Sequence, residues 1–250
     1  MSSRRTKTAA LWRQTLSALE RAYGRPERTN ARSPLESLVL GLLKGETSER
    51  VAEQALRRLR GHFLDFNEVR VTRPQDVAEA IQIVAAPEAK ALAITGVLQT
   101  LFLRSGTVDL DFLTRLPLTQ ARAFLEQLNG LDGRTVATVL LGLGAQTVPA
   151  DASVVRMAKR LGLADRTSTA EQIQAALERV VPAADKYALY ALVVRHGERV
   201  CQVRTARCVT CVLKRMCATG AAAKAARRAK SRPRPKATRK TADAARRRRR

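Results

Sequence analysis

An all-α fold is what this sequence predicts, and three observations predict it. Apolar residues recur at helical spacing along nearly the whole chain, helix starts are marked by N-cap and proline signals, and no run shows the sustained period-two alternation of a sheet. At 250 residues the chain is long enough to bury one or two real cores.

Each helix can be justified in order. Trp12, Leu16 and Leu19 sit at helical spacing behind a basic N-terminal arm, "MSSRRTKTAALW". That spacing favours packing over removal as a targeting segment, although organellar targeting stays open. In "SPLESLVLGLLK" Ser33 is the N-cap, Pro34 takes the first helical position and Glu36 closes a capping box. Further helices are expected over 49–60, 74–85, 87–104 and 118–128. The stretch "LNGLDGRTVATVLL" then reads as a helix end, a tight glycine turn and a second helix over 134–143. Another helix is expected over 152–161. In "STAEQIQAALERVV" the capping device is read on Ser168 and Glu171, Pro182 stops that helix, and a last one covers 186–196.

Charge narrows the partners. There are 46 Lys and Arg against 22 Asp and Glu, a net charge of +24. Residues 218–250 carry +13 of it and end in five arginines, leaving a body at +11 that is still basic. A basic body with a more basic tail points to a polyanion, most simply nucleic acid. The Ala/Arg/Lys/Pro composition of 219–250 cannot build a core, so a disordered tail that adds nonspecific nucleic-acid contacts is expected. No stretch approaches the ~20 apolar residues of a membrane span, so no membrane partner is expected. Without a secretory signal the expected setting is reducing, and the cysteines are not expected to form disulfides.

All four cysteines lie in "CQVRTARCVTCVLKRMC", a C-x6-C-x2-C-x5-C pattern of Cys201, Cys208, Cys211 and Cys217. Four thiols this close in a chain otherwise free of cysteine point to a metal site. Structural zinc commonly uses two C-x2-C-like pairs, whereas one such pair with long flanking spacers better suits one cubane-type iron–sulfur cluster. Between the ligands stand Arg204, Arg207, Lys214 and Arg215, which can contact phosphate, neutralise a negative cluster, or both.

With these residues in place, the chain resembles the endonuclease III family, helix-hairpin-helix DNA glycosylases with a terminal [4Fe–4S] cluster. The cysteine spacing matches that family, "LVVRHGERVC" resembles the segment leading into its cluster, and 128–163 resembles its hairpin, second helix and catalytic loop. "SPLESLVLGLLKGETSE" resembles its early helix and DNA-facing turn, and the likeness runs in order over roughly residues 30–217. The resemblance implies a two-lobed fold with DNA in the cleft. One lobe is a helical bundle over 31–150 that contains the hairpin. The other combines 1–30 with 151–218 and the cluster loop, and 219–250 is the tail. It also implies a cytoplasmic or nucleoid-associated monomer acting on double-stranded DNA with damaged, oxidised bases. On this likeness Asp151 is the carboxylate of glycosidic cleavage, where an isolated Asp before a helix would read as an N-cap. Gly130, Asp132 and Gly133 belong to the phosphate-gripping hairpin, Glu46 lies in the turn that fills the gap left by a flipped base, and Arg204, Arg207 and Lys214 face the backbone.

The chain also departs from the family. Bifunctional members form a Schiff base through a lysine after the hairpin. That position falls on Arg134 in the register that keeps Val136, Val139 and Leu140 in step, and on Gly133 or Thr135 in the other two. No lysine stands anywhere between Lys90 and Lys159. Arginine stays protonated and is a poor imine former. Asn129 and Asp132 stand in place of the usual Pro and Gly, and Glu46 near a usual glutamine. Three outcomes follow: a glycosylase in which Asp151 activates water and lyase activity is weak or absent, weak nicking through another amine, or a DNA-binding relative without chemistry. A transcription module on a four-cysteine zinc site is disfavoured by the long spacers.

Overall fold

The computed structural model describes residues 2–28 and 32–222, the side chains of 2–7 excepted, and among them there is no strand. Eleven α-helices follow in order: α1 (Ser2–Tyr23), α2 (Pro34–Lys44), α3 (Glu49–His62), α4 (Phe66–Val71), α5 (Pro74–Ala80), α6 (Pro87–Ser105), α7 (Leu118–Glu126), α8 (Gly133–Gly142), α9 (Ala152–Leu161), α10 (Ala170–Val180) and α11 (Ala183–Arg199). A 3-10 turn at Asp111–Arg115 separates α6 from α7. The all-α expectation holds.

The helix starts show which local rules decide. Ser33 caps α2 with Glu36 in a full capping box and Pro34 in the first turn, as read from sequence. The second box lies one residue further on than expected. Thr169, not Ser168, accepts from the N–H of Gln172, and the Gln172 side chain returns to Thr169. Both hydroxyls suit a cap, and the register is set by which residue lets Ile173 and Leu177 face the core. Helix α5 ends at Ala80 rather than 85: Ile81, buried in the core, leaves helical geometry as its C-cap, and turns carry the chain to Pro87. Helix α4 and the 3-10 turn were not foreseen, being too short to show a period.

Two apolar cores form. In the first, α2, α3, α5, α6, α7 and α8 bury Leu38, Leu43, Leu59, Ile81, Ile94 and Leu98. The second joins α1 to α9, α10 and α11 around Trp12, Leu19, Val154, Met157, Leu189 and Leu192, and takes in Leu141, Val148 and Ala150. Each fully buried leucine contributes roughly 1.5–3 kcal/mol. Helix α2 lies tightly across α8: a Cβ on Gly41 would meet Thr135 Cγ2 at 2.8 Å. That close approach brings the C-terminal end of α2 against the first turn of α8. A last helical turn follows Cys217, where the Ala221 N–H reaches the Cys217 carbonyl. Of the expected basic tail, 223–250 lies outside the described residues.

Candidate functional site

The hairpin between α7 and α8 turns on Gly130, whose φ of +91° is a conformation that L side chains rarely adopt. Asp132 is the N-cap of α8: its Oδ1 accepts from the Thr135 N–H at 2.7 Å. Its Oδ2 accepts from Arg134 Nη2 at 2.6 Å. Burial raises the Asp132 carboxyl, but the Thr135 and Arg134 bonds outweigh it and hold it below the usual carboxylate range. The negative charge of Asp132 is therefore offset within the turn. Gly133 opens α8, with its N–H groups directed out of the helix start, a geometry that suits an anion.

Asp151 sits at the other junction, as N-cap of α9, and is only 5% exposed. Its Oδ1 accepts from the N–H groups of Ser153 and Val154 at 2.9 and 3.0 Å. Its Oδ2 accepts from the Tyr190 hydroxyl of α11 at 3.2 Å. Tyr190 in turn accepts from Lys44 Nζ at 2.8 Å, and Lys44 Nζ lies 2.7 Å from Glu49 Oε2. Lys44 is the last residue of α2 and is 3% exposed. Burial pushes the Asp151 carboxyl up, Lys44 pulls it down, Glu49 pushes it up, and the net shift is upward. Burial, Glu49 and Asp151 keep the Tyr190 phenol protonated far into the alkaline range. Capping and a buried reactive carboxylate thus coincide in one side chain.

Between these two groups lies the α2–α3 turn. Lys90 of α6 reaches under it and donates to Leu43 O, to Lys44 O at 3.0 Å and to Thr47 Oγ1 at 2.6 Å. Burial first, and then the Arg134 charge, lower the Lys90 amine to about 8. The Arg134 guanidinium approaches the same turn, with Nη1 3.5 Å from where a Cβ on Gly45 would stand. Its Nε is buried without a partner among the described residues. Glu46 is exposed in this turn and favours the charged form of Lys90.

Cys201, Cys208, Cys211 and Cys217 line one cavity after α11, together with Arg160 and Lys214. Burial raises the Cys211 thiol, and the proximity of Cys201, Cys217 and Cys208 raises it further. Among the described residues no three His, Cys, Asp or Glu side chains are gathered for a single metal ion. The loop is braced from α9. Arg160 donates to Gln202 O at 2.7 Å, Val203 O at 2.9 Å and Cys201 Sγ at 3.3 Å, and Arg156 donates to Cys201 O at 2.8 Å. His196, fully buried and lowered by burial to about 4, lies 3.3 Å from Cys211 Sγ and 2.8 Å from the Tyr23 hydroxyl. Arg204, Arg207 and Lys214 are exposed on the loop.

The site therefore gathers residues from five regions of the chain: 44–49, Lys90, 132–134, Asp151 and Tyr190. Arg134 and Asp132 share one turn, Asp151 stands apart on α9, and Glu46 is at the surface. Sequence reasoning missed Lys44, Glu49, Tyr190 and Lys90. Lys44 and Glu49 were in view inside "LLKGETSE", but nothing local shows that a lysine there meets a tyrosine 146 positions away.

No family model matches the chain. An Arabidopsis thaliana protein named as a DNA glycosylase is 28% identical over 171 residues, covering 68% of this chain and 58% of that protein. Endonuclease III of Escherichia coli strain K12 is 34% identical over 98 residues, which is 38% of this chain and 46% of that one. The chain thus spans about half the length of the curated relatives it matches. Among solved structures, a non-covalent endonuclease III–DNA complex superposes with a TM-score of 0.69 at 18% identity, covering 85% of this chain and 96% of that one, a likeness of fold.

Proposed function

We propose that this chain, which is similar in sequence to DNA glycosylases of the endonuclease III type, is a base-excision DNA glycosylase that cleaves the N-glycosidic bond of damaged bases. The observation that carries this reading is Asp151, a buried carboxylate held by two backbone N–H groups and one phenol. Departure of a base leaves positive charge on the sugar. A carboxylate fixed opposite that charge stabilises it, and can orient or deprotonate the attacking water. The target base must first leave the stack, a cost of a few kcal/mol that damage lowers, which favours damaged substrates; the likeness to endonuclease III extends the proposal to oxidised pyrimidines.

DNA is gripped without regard to sequence. The N–H groups at the start of α8, flanked by Gly130 and Gly133, take one phosphate, and Arg134 with its unpartnered Nε adds charge beside it. Arg204, Arg207 and Lys214 take the backbone further along. The four cysteines of the loop hold a [4Fe–4S] cluster in this reading. The four line one shared cavity, and four thiols are the donor set that such a cluster takes. When bound, the cluster pins the loop that presents these cations. Arg134 cannot form an imine, so strand cleavage by the family's lysine route is weak or absent.

The test incubates the protein with duplexes holding thymine glycol, uracil, mismatched thymine or an abasic site, with and without borohydride. Base release without covalent trapping is expected, and Asp151→Asn should lower it by roughly 100-fold or more. No release from any duplex while binding persists would overturn the glycosylase reading. Efficient trapping of the unaltered protein would overturn the monofunctional one.

A further inference from the structure

The relay that ends on Asp151 begins on α2. Lys44 Nζ donates to the Tyr190 oxygen, which leaves the Tyr190 O–H free to donate in one direction only, toward Asp151 Oδ2. Glu49 Oε2 forms an ion pair with the same amine at 2.7 Å, so Lys44 is held by two partners. Three helices, α2, α3 and α11, thereby converge on a carboxylate that α9 supplies. We propose that Lys44 is a positioning residue of this site: clamped between Glu49 and Tyr190, it fixes the Tyr190 hydroxyl as a donor to Asp151 and keeps Asp151 a carboxylate. The inference rests on the glycosylase reading above for its catalytic consequence, but not for the state of Asp151 itself.

The physical need is plain. Asp151 is buried, and burial alone would favour its neutral acid, which can neither face a cationic sugar nor accept a proton from water. The charged and titratable groups around it are Lys44 from α2, Glu49 from α3, Tyr190 from α11 and Arg156 from its own helix. Among the charges acting on Asp151, Lys44 is the largest that favours the ionised form, and Glu49 opposes it. Arg134 is engaged by Asp132, and its charge is felt at Tyr190. With arginine at the hairpin position, the lysine of this site acts from another helix, and through a phenol rather than on the sugar.

The opposed signs of Lys44 and Glu49 make the proposal testable. The pH dependence of base release is measured for the full chain and for Lys44→Met, Lys44→Arg, Tyr190→Phe and Glu49→Gln. In parallel, affinity is measured for a duplex carrying a cationic pyrrolidine in place of the target sugar, relative to a neutral tetrahydrofuran duplex. Activity needs the carboxylate and fails below its pKa, so Lys44→Met should move the acid limb to higher pH by roughly 1–2 units. Tyr190→Phe should move it the same way, Lys44→Arg should restore the wild-type limb, and Glu49→Gln should move it to lower pH. The preference for the pyrrolidine duplex should follow the same order. Because Tyr190→Phe removes one hydroxyl only, it keeps the test alive if Lys44→Met fails to fold. Shifts of one sign for Lys44→Met and Glu49→Gln, or no shifts, would overturn the proposal. Borohydride trapping lost only in the Lys44 variants would also overturn it, by making Lys44 the reacting amine. If the unaltered protein releases no base, the glycosylase reading fails, and the pH dependence of pyrrolidine binding decides the role of Lys44.

Discussion

At position 134 the chemistry turns on one side chain. Arg134 approaches the Gly45 turn, bonds Asp132, and lowers the amine of Lys90. Electrostatic influence of this kind is mutual: a lysine at 134 would feel Lys90 as Lys90 feels Arg134, and its amine would be pushed toward the neutral, nucleophilic form. Arg134→Lys is therefore expected to raise borohydride trapping on an abasic duplex at least about tenfold at pH 8, a change of roughly 1.4 kcal/mol in barrier. Trapping that stays at the wild-type level would mean that the turn does not aim position 134 at the sugar. The identity of this residue was fully legible in the sequence, since only the residue type and its place after the hairpin matter. Its company was not: Lys90 is 44 positions away in sequence, and only packing makes them neighbours.

Among the elements, what could be read ahead of the structure was what local chemistry controls. Ser33, Pro34 and Glu36 satisfy one another within a single turn, so that start was legible. Ser168 and Thr169 are both competent caps, and the choice between them depended on the core facing α10. Lys44, Glu49, Tyr190 and Asp151 come from four helices, so no period or spacing could have joined them. The cap of α8 gives an element-scale expectation. Asp132→Ala removes the bond to the Thr135 N–H and should cost about 1 kcal/mol, read as a lower denaturant midpoint with an unchanged slope. Its carboxyl is depressed in the folded state. Its contribution is therefore present above the unfolded carboxylate pKa and is lost as pH falls through the lower folded value. The gap between wild type and Asp132→Ala should close in that acid window. A gap that persists there would assign the stability to side-chain packing rather than to the charged cap.

For the molecule as a whole, the two cores meet at the end of α8, which gives Leu140 to one and Leu141 to the other, and where Lys44 reaches Tyr190, so the site depends on how the cores are held together. Over that arrangement lies a net charge of +24, with +13 in residues 218–250. On the proposed function, the hairpin and the cysteine loop supply a few fixed phosphate contacts, which set the register of the duplex. The terminal cations need no geometry, because counterion release rewards any cation near the backbone. Each phosphate neutralised adds about 0.9 to the slope of log affinity against log salt. Removing 219–250 should therefore lower duplex affinity at low salt and flatten that slope by several such steps, while base release at saturating DNA stays unchanged. The comparison is made on undamaged and damaged duplexes together. An equal loss on both marks a contact blind to damage, as a basic segment requires. A loss confined to the damaged duplex would place the segment in lesion recognition, and an unchanged slope would leave phosphate binding to the folded body alone.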